Sequence, residues 1–394
     1  MTKNIFWCFI NIMNITVNNY GINFNGYDVL PLRGLYMQGS AKSLKRGVYE
    51  EMSNISKKNN LTLYVNQVGV ITKNWRDYCE NNYLNGNIWA QDTVSFILDK
   101  GAKTILWNSK VEPIPANRMS DLTDFYPCYY KDIPRGGNYY IGFKPDKSKW
   151  MIISSKTVLD ENKMPNFSIE GFRSLNEKVT KSVICSRFDI KFENLYIVDT
   201  SIRDLDEIIR PIGYPYVLIN SADECLKNIY LLKNKFKNDA AMTNLLNNMV
   251  EFVKTNTYRD YSDKVEEFLK NKGFIPIKIG GWYSKDINFI NALAYKDKNS
   301  KISYITNSTR DSIKGLEYLE ELFARDLREK VDNINDIDFI SGGKAGIESM
   351  QDIKDIKTGS TSAINRNQMM STLANYNGGI HCMTSEIPDF DKIV

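Results

Sequence analysis

Histidine is almost absent from this sequence, which has a single one, His381, among 394 residues. A histidine base, a Ser-His-Asp triad or a histidine zinc ligand would therefore have to use His381. The six cysteines contain no C-x-x-C pair, which argues against a zinc ribbon, a redox motif and a disulfide framework. We expect mostly free thiols in a reducing, cytoplasmic setting, with secretion as the alternative.

Long apolar runs and a charge excess are also missing. No run reaches the roughly 20 residues that a membrane helix needs. The apolar segment Ile5–Met13 is short, is interrupted by Asn11 and lacks a small-residue cleavage site, so we interpret it as a strand. The 51 basic and 47 acidic residues differ by only +4, which gives no electrostatic reason to expect nucleic acid as a partner.

Strand-like and helix-like segments alternate along the chain, which indicates an α/β fold. A composition of 42% hydrophobic and 25% charged residues is typical of a globular protein. No linker divides the chain, so we predict one domain over 1–394, with a helical insertion near 222–271. Predicted strands are Leu61–Ile71, Ala102–Trp107, Tyr139–Phe143, Trp150–Ser154, Tyr216–Ile219, Phe274–Ile279 and Ile302–Thr306, and predicted helices lie in Ser43–Lys58, Asp223–Lys270 and Leu316–Val331.

Three short stretches carry reactive groups, and each also has a purely structural explanation. Asn87–Asp92 fits a buried Trp89 beside a capping aspartate, and Arg203–Glu207 fits the acidic first turn of a helix. In Asn377–Thr384, two glycines permit a tight backbone path just before Cys382. That cysteine is either a small buried apolar residue or a nucleophile on an exposed turn.

The three stretches together resemble one family. The order W-x-Q-D, then an acidic x-x-D-E motif, then G-G-x-H-C-x-T is similar to the protein-arginine deiminases and the related agmatine deiminases. Ile133–Phe143 resembles the family's Gly-rich segment, and Phe274–Tyr295 resembles its strand and Asn-containing stretch before the nucleophile. The resemblance covers residues 30–390. It implies a pentein fold, in which five ββαβ-type units form a five-bladed α/β propeller around the active site.

The resemblance also implies a chemistry. Asp92 and Asp206 hold a guanidinium from two sides, because a carboxylate accepts two parallel N–H bonds. The thiolate of Cys382 attacks the central carbon, ammonia leaves, and water releases citrulline from a covalent thiouronium. Trp89 either packs against the stem of the substrate or offers its ring face for a cation–π contact. The resemblance implies two further substrate-binding residues within the Gly-rich segment, Arg135 and Asn138.

One position departs from the family pattern. The family has His-x-Asp-Glu in the middle motif, and its histidine moves protons, but this chain has Asp204 there. We expect His381 to be structural, because adjacent residues of a strand face opposite sides. Three carboxylates near one thiol should raise at least one pKa. We therefore expect impaired turnover or none.

The predicted partner is an arginine-containing peptide or protein, with peptidyl arginine preferred and a small guanidine as the alternative. Nucleic acid and membranes are not expected partners. Open alternatives are a non-catalytic guanidine-binding protein, an agmatine or arginine deiminase, and an amidinotransferase. No cofactor is expected. The calcium site of related enzymes has an acidic residue three positions after the first aspartate, where this chain has Ser95, so calcium dependence is not expected.

Overall fold

A computed structural model describes residues 29–37, 46–67, 70–72, 90–108, 122–130, 136–155, 177–198, 204–284, 287–310, 315–341 and 379–393. At a few of these positions, including Asp92, the backbone alone is described. The strand predicted at Ile5–Met13 lies outside the described residues.

The described strands follow one another along almost the whole chain. They are β1 (Leu32–Met37), β2 (Thr62–Gln67), β3 (Val70–Thr72), β4 (Val94–Asp99), β5 (Ala102–Asn108), β6 (Tyr126–Tyr130), β7 (Tyr139–Phe143), β8 (Lys149–Ser154), β9 (Leu195–Val198), β10 (Ile209–Gly213), β11 (Tyr216–Asn220), β12 (Ile275–Ile279), β13 (Trp282–Ser284), β14 (Ile287–Asn288), β15 (Leu293–Lys296), β16 (Ile302–Asn307), β17 (Ile334–Ile340) and β18 (Thr384–Pro388). Each predicted strand in the described part is present, and Leu61–Ile71 is the antiparallel pair β2–β3.

Helices connect many of these strands. The described helices are α1 (Arg46–Lys58), α2 (Ala90–Thr93), α3 (Glu177–Phe188), α4 (Ala222–Lys235), α5 (Ala240–Lys254), α6 (Asn256–Asn271), α7 (Glu317–Lys330) and α8 (Ile380–Met383). Short 3-10 turns lie at Gly136–Asn138, Phe192–Asn194, Leu205–Glu207 and Phe390–Lys392. Among the described residues, no helix combines the length and the apolar composition that crossing a membrane requires.

Capping and apolar spacing explain the helices in 222–271. The Ser221 side chain accepts a hydrogen bond from the Glu224 amide at the start of α4. Asp239 does the same for the Met242 amide at the start of α5. Such caps satisfy N–H groups that have no partner inside the helix. Along α5, the buried apolar side chains recur at three- and four-residue spacing, namely Met242, Leu246, Met249, Val250 and Val253.

The same strand pairing occurs in five small sheets. In each sheet a central strand pairs antiparallel with one neighbour and parallel with the other: β5 with β4 and β6, β8 with β7 and β9, β11 with β10 and β12, β16 with β15 and β17, and β1 with β18 and β2. In the fifth sheet, the C-terminal strand β18 pairs with the N-terminal strand β1. This pairing brings the segment after Gly379 beside strands from the other end of the chain.

Each parallel pair needs a crossover connection, and helices lie in four of the five. The crossovers contain α1 between β1 and β2, α3 between β8 and β9, α4 to α6 between β11 and β12, and α7 between β16 and β17. The connection from β5 to β6 includes residues outside the described part. The architecture is therefore α/β, as predicted. The arrangement of the five sheets as blades about one axis stays a prediction.

Candidate active site

Cys382 lies on a single helical turn, α8, directly before β18. Gly379 begins the turn, and a Cβ added there would lie 2.3 Å from Asn291 Oδ1 and 2.6 Å from Asn307 Nδ2. Those contacts are too close for any side chain. Glycine therefore allows two asparagines to approach the backbone of this turn.

The two asparagines fix the turn through hydrogen bonds. Asn307 Oδ1 accepts a hydrogen bond from the Ile380 amide at 2.9 Å, and Asn291 Oδ1 accepts one from the His381 amide at 3.1 Å. The amides of a first helical turn have no partner inside the helix, so these side chains take the place of a cap. Asn291 follows the short strand β14 and Asn307 ends β16, so separate elements determine where the Cys382 thiol lies.

Asp206 is the centre of the site. Its side chain is fully buried, and three side-chain atoms lie within hydrogen-bonding distance of its Oδ2 atom: Asn291 Nδ2 at 2.8 Å, His381 Nδ1 at 2.8 Å and Cys382 Sγ at 3.2 Å. Asn291 Nδ2 also lies 3.3 Å from Cys382 Sγ. The thiol and the carboxylate, 176 residues apart in the chain, are thus in direct contact.

The second oxygen of this carboxylate has no partner in the part of the chain that the structure describes. Asp206 Oδ1 is buried without a hydrogen bond to any described group. A buried acceptor without a partner is costly, which points to a ligand that donates to it. Gly137 leaves room beside it, since a Cβ at this position would lie 3.0 Å from Asp206 Oδ1.

The middle motif forms a 3-10 turn at Leu205–Glu207, where the sequence suggested the start of a helix. Asp204 precedes this turn and makes no capping bond; its Oδ1 accepts a hydrogen bond from Asn138 Nδ2 at 2.7 Å. Asn138 Oδ1 is buried without a partner among the described residues. Asp204 is near enough to Cys382 for its charge to contribute to the raised pKa of the thiol.

The backbone of the first motif lies next to the turns that carry Cys382 and Asn138. Helix α2, which contains Asp92, packs against α8 and the 136–138 turn. A Cβ on Gly136 would lie 2.3 Å from Gln91 Cβ, so this glycine permits the close approach of the two turns. The Asp92 side chain, Trp89 and Arg135 lie outside the described part of the chain.

His381 differs from the sequence-based expectation. Residues 380–383 form a helical turn, and within it His381 and Cys382 contact the same Asp206 oxygen. The reason given for a purely structural histidine, that adjacent strand residues face opposite sides, is therefore wrong. The His381 ring also packs against the Tyr140 ring, with centroids 5.4 Å apart.

Burial dominates the electrostatics of the site. It raises the pKa of Asp206 to about 6, although Cys382, Arg210 and Asn291 act in the opposite direction. A raised carboxylate pKa was expected from neighbouring carboxylates, but its cause is desolvation. Burial, together with the Asp206 charge, raises the pKa of the Cys382 thiol. Burial and the charge of Arg210 lower the pKa of His381, which keeps the ring neutral.

Two residues in this environment were not predicted as site residues from the sequence. Asn291 lies within the Asn-containing stretch of the resemblance, but it was not assigned a role. Arg210 is almost fully buried; it forms an ion pair with Glu386, and its guanidinium lies over the Tyr140 ring at 5.3 Å. A single arginine in a β-rich segment gives no indication of burial before the fold is known.

No family model matches the chain, and no curated protein matches it. Solved structures do. The agmatine deiminase of C. jejuni has a TM-score of 0.54 and 12% identity, covering 92% of this chain and 95% of that one. An agmatine deiminase of Enterococcus faecalis has a TM-score of 0.50, 11% identity and coverages of 91% and 94%. A proposed peptidyl-arginine deiminase has a TM-score of 0.51, 12% identity and coverages of 92% and 97%.

These neighbours have the α/β pentein fold, so the predicted α/β fold class is confirmed, and the five-bladed arrangement stays a prediction.

Proposed function

We propose that this chain is a guanidine-modifying hydrolase of the C–N bond, with Cys382 as the nucleophile and Asp206 as the carboxylate that receives the guanidinium. One observation carries the proposal. The buried Asp206 contacts the Cys382 thiol through Oδ2, while its Oδ1 has no hydrogen-bond partner among the described residues. A guanidinium is a planar cation whose N–H groups can satisfy that free oxygen.

Substrate binding would prepare the nucleophile. In the empty site, burial and the Asp206 charge raise the pKa of the Cys382 thiol, so the thiol is held protonated. A bound cation stabilises the thiolate and neutralises the carboxylate charge that opposes it. The reactive thiolate would thus form only when the guanidinium is present, which makes thiol reactivity depend on substrate.

The reaction would follow in two halves. The Cys382 proton moves to Asp206, the sulfur forms a bond with the central guanidinium carbon, and the proton returns to one amino group. The C–N bond then breaks and ammonia leaves, giving a thiouronium. Water next attacks the same carbon and gives a proton to Asp206. The C–S bond breaks, and Asp206 returns its proton to the thiolate. The second proton of the attacking water is released to solvent, where ammonia takes it up as ammonium, and a neutral ureido product leaves.

A carboxylate with a pKa of about 6 is a weaker fit to this proton transfer than a histidine would be, but it titrates close to neutral pH. At the position where related enzymes have histidine, Asp204 supplies a further carboxylate and no imidazole. We therefore propose slow turnover. Peptidyl arginine remains our preferred substrate, with agmatine and free arginine as the smaller alternatives.

Product analysis tests the proposal. Agmatine, arginine and an N-acyl arginine amide are each incubated with the protein, and ammonia and the ureido product are measured. We expect equal amounts of both from at least one substrate, and none from Cys382→Ala. Adding glycine separates hydrolysis from amidinotransfer, because transfer gives guanidinoacetate. Tight guanidine binding without product would instead favour the non-catalytic binding protein.

A further inference from the structure

The only histidine of the chain is brought into the candidate site, and the reaction above gives it no role. We propose that His381 is a positioning residue, whose Nδ1–H holds the Asp206 carboxylate in the orientation in which Oδ2 accepts the proton of the Cys382 thiol. This inference rests on the proposed function, since it assigns a role within the same site.

The hydrogen-bond roles follow from chemistry. Asp206 Oδ2 already receives Asn291 Nδ2 at 2.8 Å and Cys382 Sγ at 3.2 Å, so it is an acceptor. His381 Nδ1, at 2.8 Å, must then donate to it. Burial and the Arg210 charge lower the pKa of His381, so the neutral ring with its proton on Nδ1 is the form that fits.

The ring is held for this bond by its neighbours. On one side it packs against Tyr140, whose hydroxyl donates to the Ile209 carbonyl at 3.0 Å. His381 also borders a cavity lined in part by Gln91 and Glu386, so close packing does not fix the ring on all sides. The bond to Asp206 is the directional contact that sets its orientation.

The position of His381 beside the nucleophile makes the effect local. His381 and Cys382 are consecutive on α8, and the His381 amide is held by Asn291 Oδ1 at 3.1 Å. Asn291 and His381 therefore bind each other as well as the same carboxylate oxygen. Other ionisable groups around Asp206 and Cys382 are Asp204, Tyr140, Arg210 and Glu386, and the side chain of Asp92 lies outside the described residues.

The pH dependence of Cys382 alkylation tests the positioning role of His381 and needs no substrate. Intact protein is alkylated with short pulses of iodoacetamide between pH 7 and pH 12, because burial raises the pKa of the Cys382 thiol. Labelling of Cys382 is followed by peptide mass spectrometry, with Cys128 as an internal reference. His381→Leu removes the donor and keeps the volume. The Nδ1–H dipole partly offsets the Asp206 charge felt by the thiolate, so without it the labelling midpoint should rise by about one pH unit.

His381→Asn is the matched variant, because an asparagine amide can place an N–H close to the position of Nδ1. It should return the midpoint to within about 0.3 pH unit of the original protein. Urea unfolding of all three proteins measures packing separately. A Leu variant with the original midpoint, or an Asn variant shifted as far as the Leu variant, would overturn the inference. Cys382 unlabelled at every pH in all three proteins would overturn it too.

A second arm separates this inference from the proposed function. Agmatine is added during labelling, and protection of Cys382 reports guanidinium binding. If the Leu and Asn midpoints diverge while agmatine gives neither protection nor product, the positioning role stands and the guanidine substrate is wrong. If agmatine protects and the Leu midpoint is unchanged, the substrate stands and the positioning role is wrong.

Discussion

At the scale of single residues, the ionisation of Asp206 determines when the site can hold a cation. Burial raises its pKa to about 6, whereas an unfolded aspartate titrates near 3.9. Under the proposed function, the carboxylate would be charged and attract a guanidinium above pH 6, and would be neutral and lose this attraction below pH 6. The buried charge also costs stability, so this group favours the folded state most below pH 4, and that contribution is lost as the pH rises through 6.

The first prediction concerns binding and pH. Agmatine affinity, measured by calorimetry with Cys382→Ala to prevent turnover, should fall by roughly tenfold from pH 7.5 to pH 5. In Asp206→Asn, binding should be weak and nearly flat over the same range. Affinity at pH 5 equal to that at pH 7.5 would show that Asp206 does not receive the cation.

The second prediction concerns Asp204. Asp204→His supplies an imidazole where a carboxylate now accepts the Asn138 bond, and should raise ureido product formation by roughly 10²–10⁴-fold. Asp204→Asn is the control, because it removes the charge and adds no base. If histidine gives no more product than asparagine with agmatine, arginine and peptidyl arginine, the alignment of the middle motif is wrong.

The sequence alone predicted only part of the candidate site. Cys382 and Asp206 were predicted through the resemblance, and the structure brings their side chains into contact. The structural role expected for His381 was argued from an extended strand, whereas residues 380–383 form a helical turn that brings His381 and Cys382 to the same Asp206 oxygen. Asn291 and Arg210 act through contacts between distant elements, which no local pattern reports.

At the scale of elements, tight turns create the site, and glycines allow their close approach. The 136–138 turn lies beside the Leu205–Glu207 turn, and α2 lies against both the 136–138 turn and α8. Strands and helices with clear apolar periods were predictable, such as β8, β16 and α7. Short turns such as α8 were not, because four residues carry too little periodicity to distinguish a helical turn from a strand.

The third prediction concerns the space that Gly137 leaves beside Asp206 Oδ1. Gly137→Ala places a methyl group about 3 Å from both carboxylate oxygens, and should weaken agmatine binding at least tenfold by covering Oδ1. Urea unfolding and the iodoacetamide labelling midpoint of Cys382 should change little, which would separate this blockage from misfolding. Unchanged agmatine affinity would mean that the ligand does not approach through this gap.

At the scale of the whole molecule, five sheets share one pairing pattern. The crossovers differ in their described residues: one helix (α1, α3 or α7) lies in each of three connections, whereas α4, α5 and α6 join β11 to β12, and this variation hides a repeat in the sequence. Apolar burial tolerates many sequences, and identities near 12% to similar structures reflect this. The fold class was predictable from alternation, but the closure of β18 onto β1 was predictable only through resemblance.

The fourth prediction tests a contact between two of these sheets. Arg210 on β10 is almost fully buried and is paired with Glu386 on β18. Glu386→Gln leaves that guanidinium without a charged partner, and should lower the free energy of unfolding by about 1–3 kcal/mol. Glu329→Gln, on the exposed pair with Arg325, should change it by less than about 0.5 kcal/mol. Urea is used as the denaturant, because guanidinium is the proposed ligand of the site. Equal losses of unfolding free energy in the two variants would argue against a stabilising role for this contact between the sheets.

The central claim is that Cys382 and Asp206 form one site directed at a planar cation. Labelling by 2-chloroacetamidine, which is cationic, is compared with labelling by 2-chloroacetamide, which is neutral and nearly the same shape. We predict that the cation labels Cys382 at least tenfold faster after correction for intrinsic reactivity, and that this preference disappears in Asp206→Asn. Equal rates for the two reagents, or preferential labelling of Cys128 or Cys185 instead, would contradict the account.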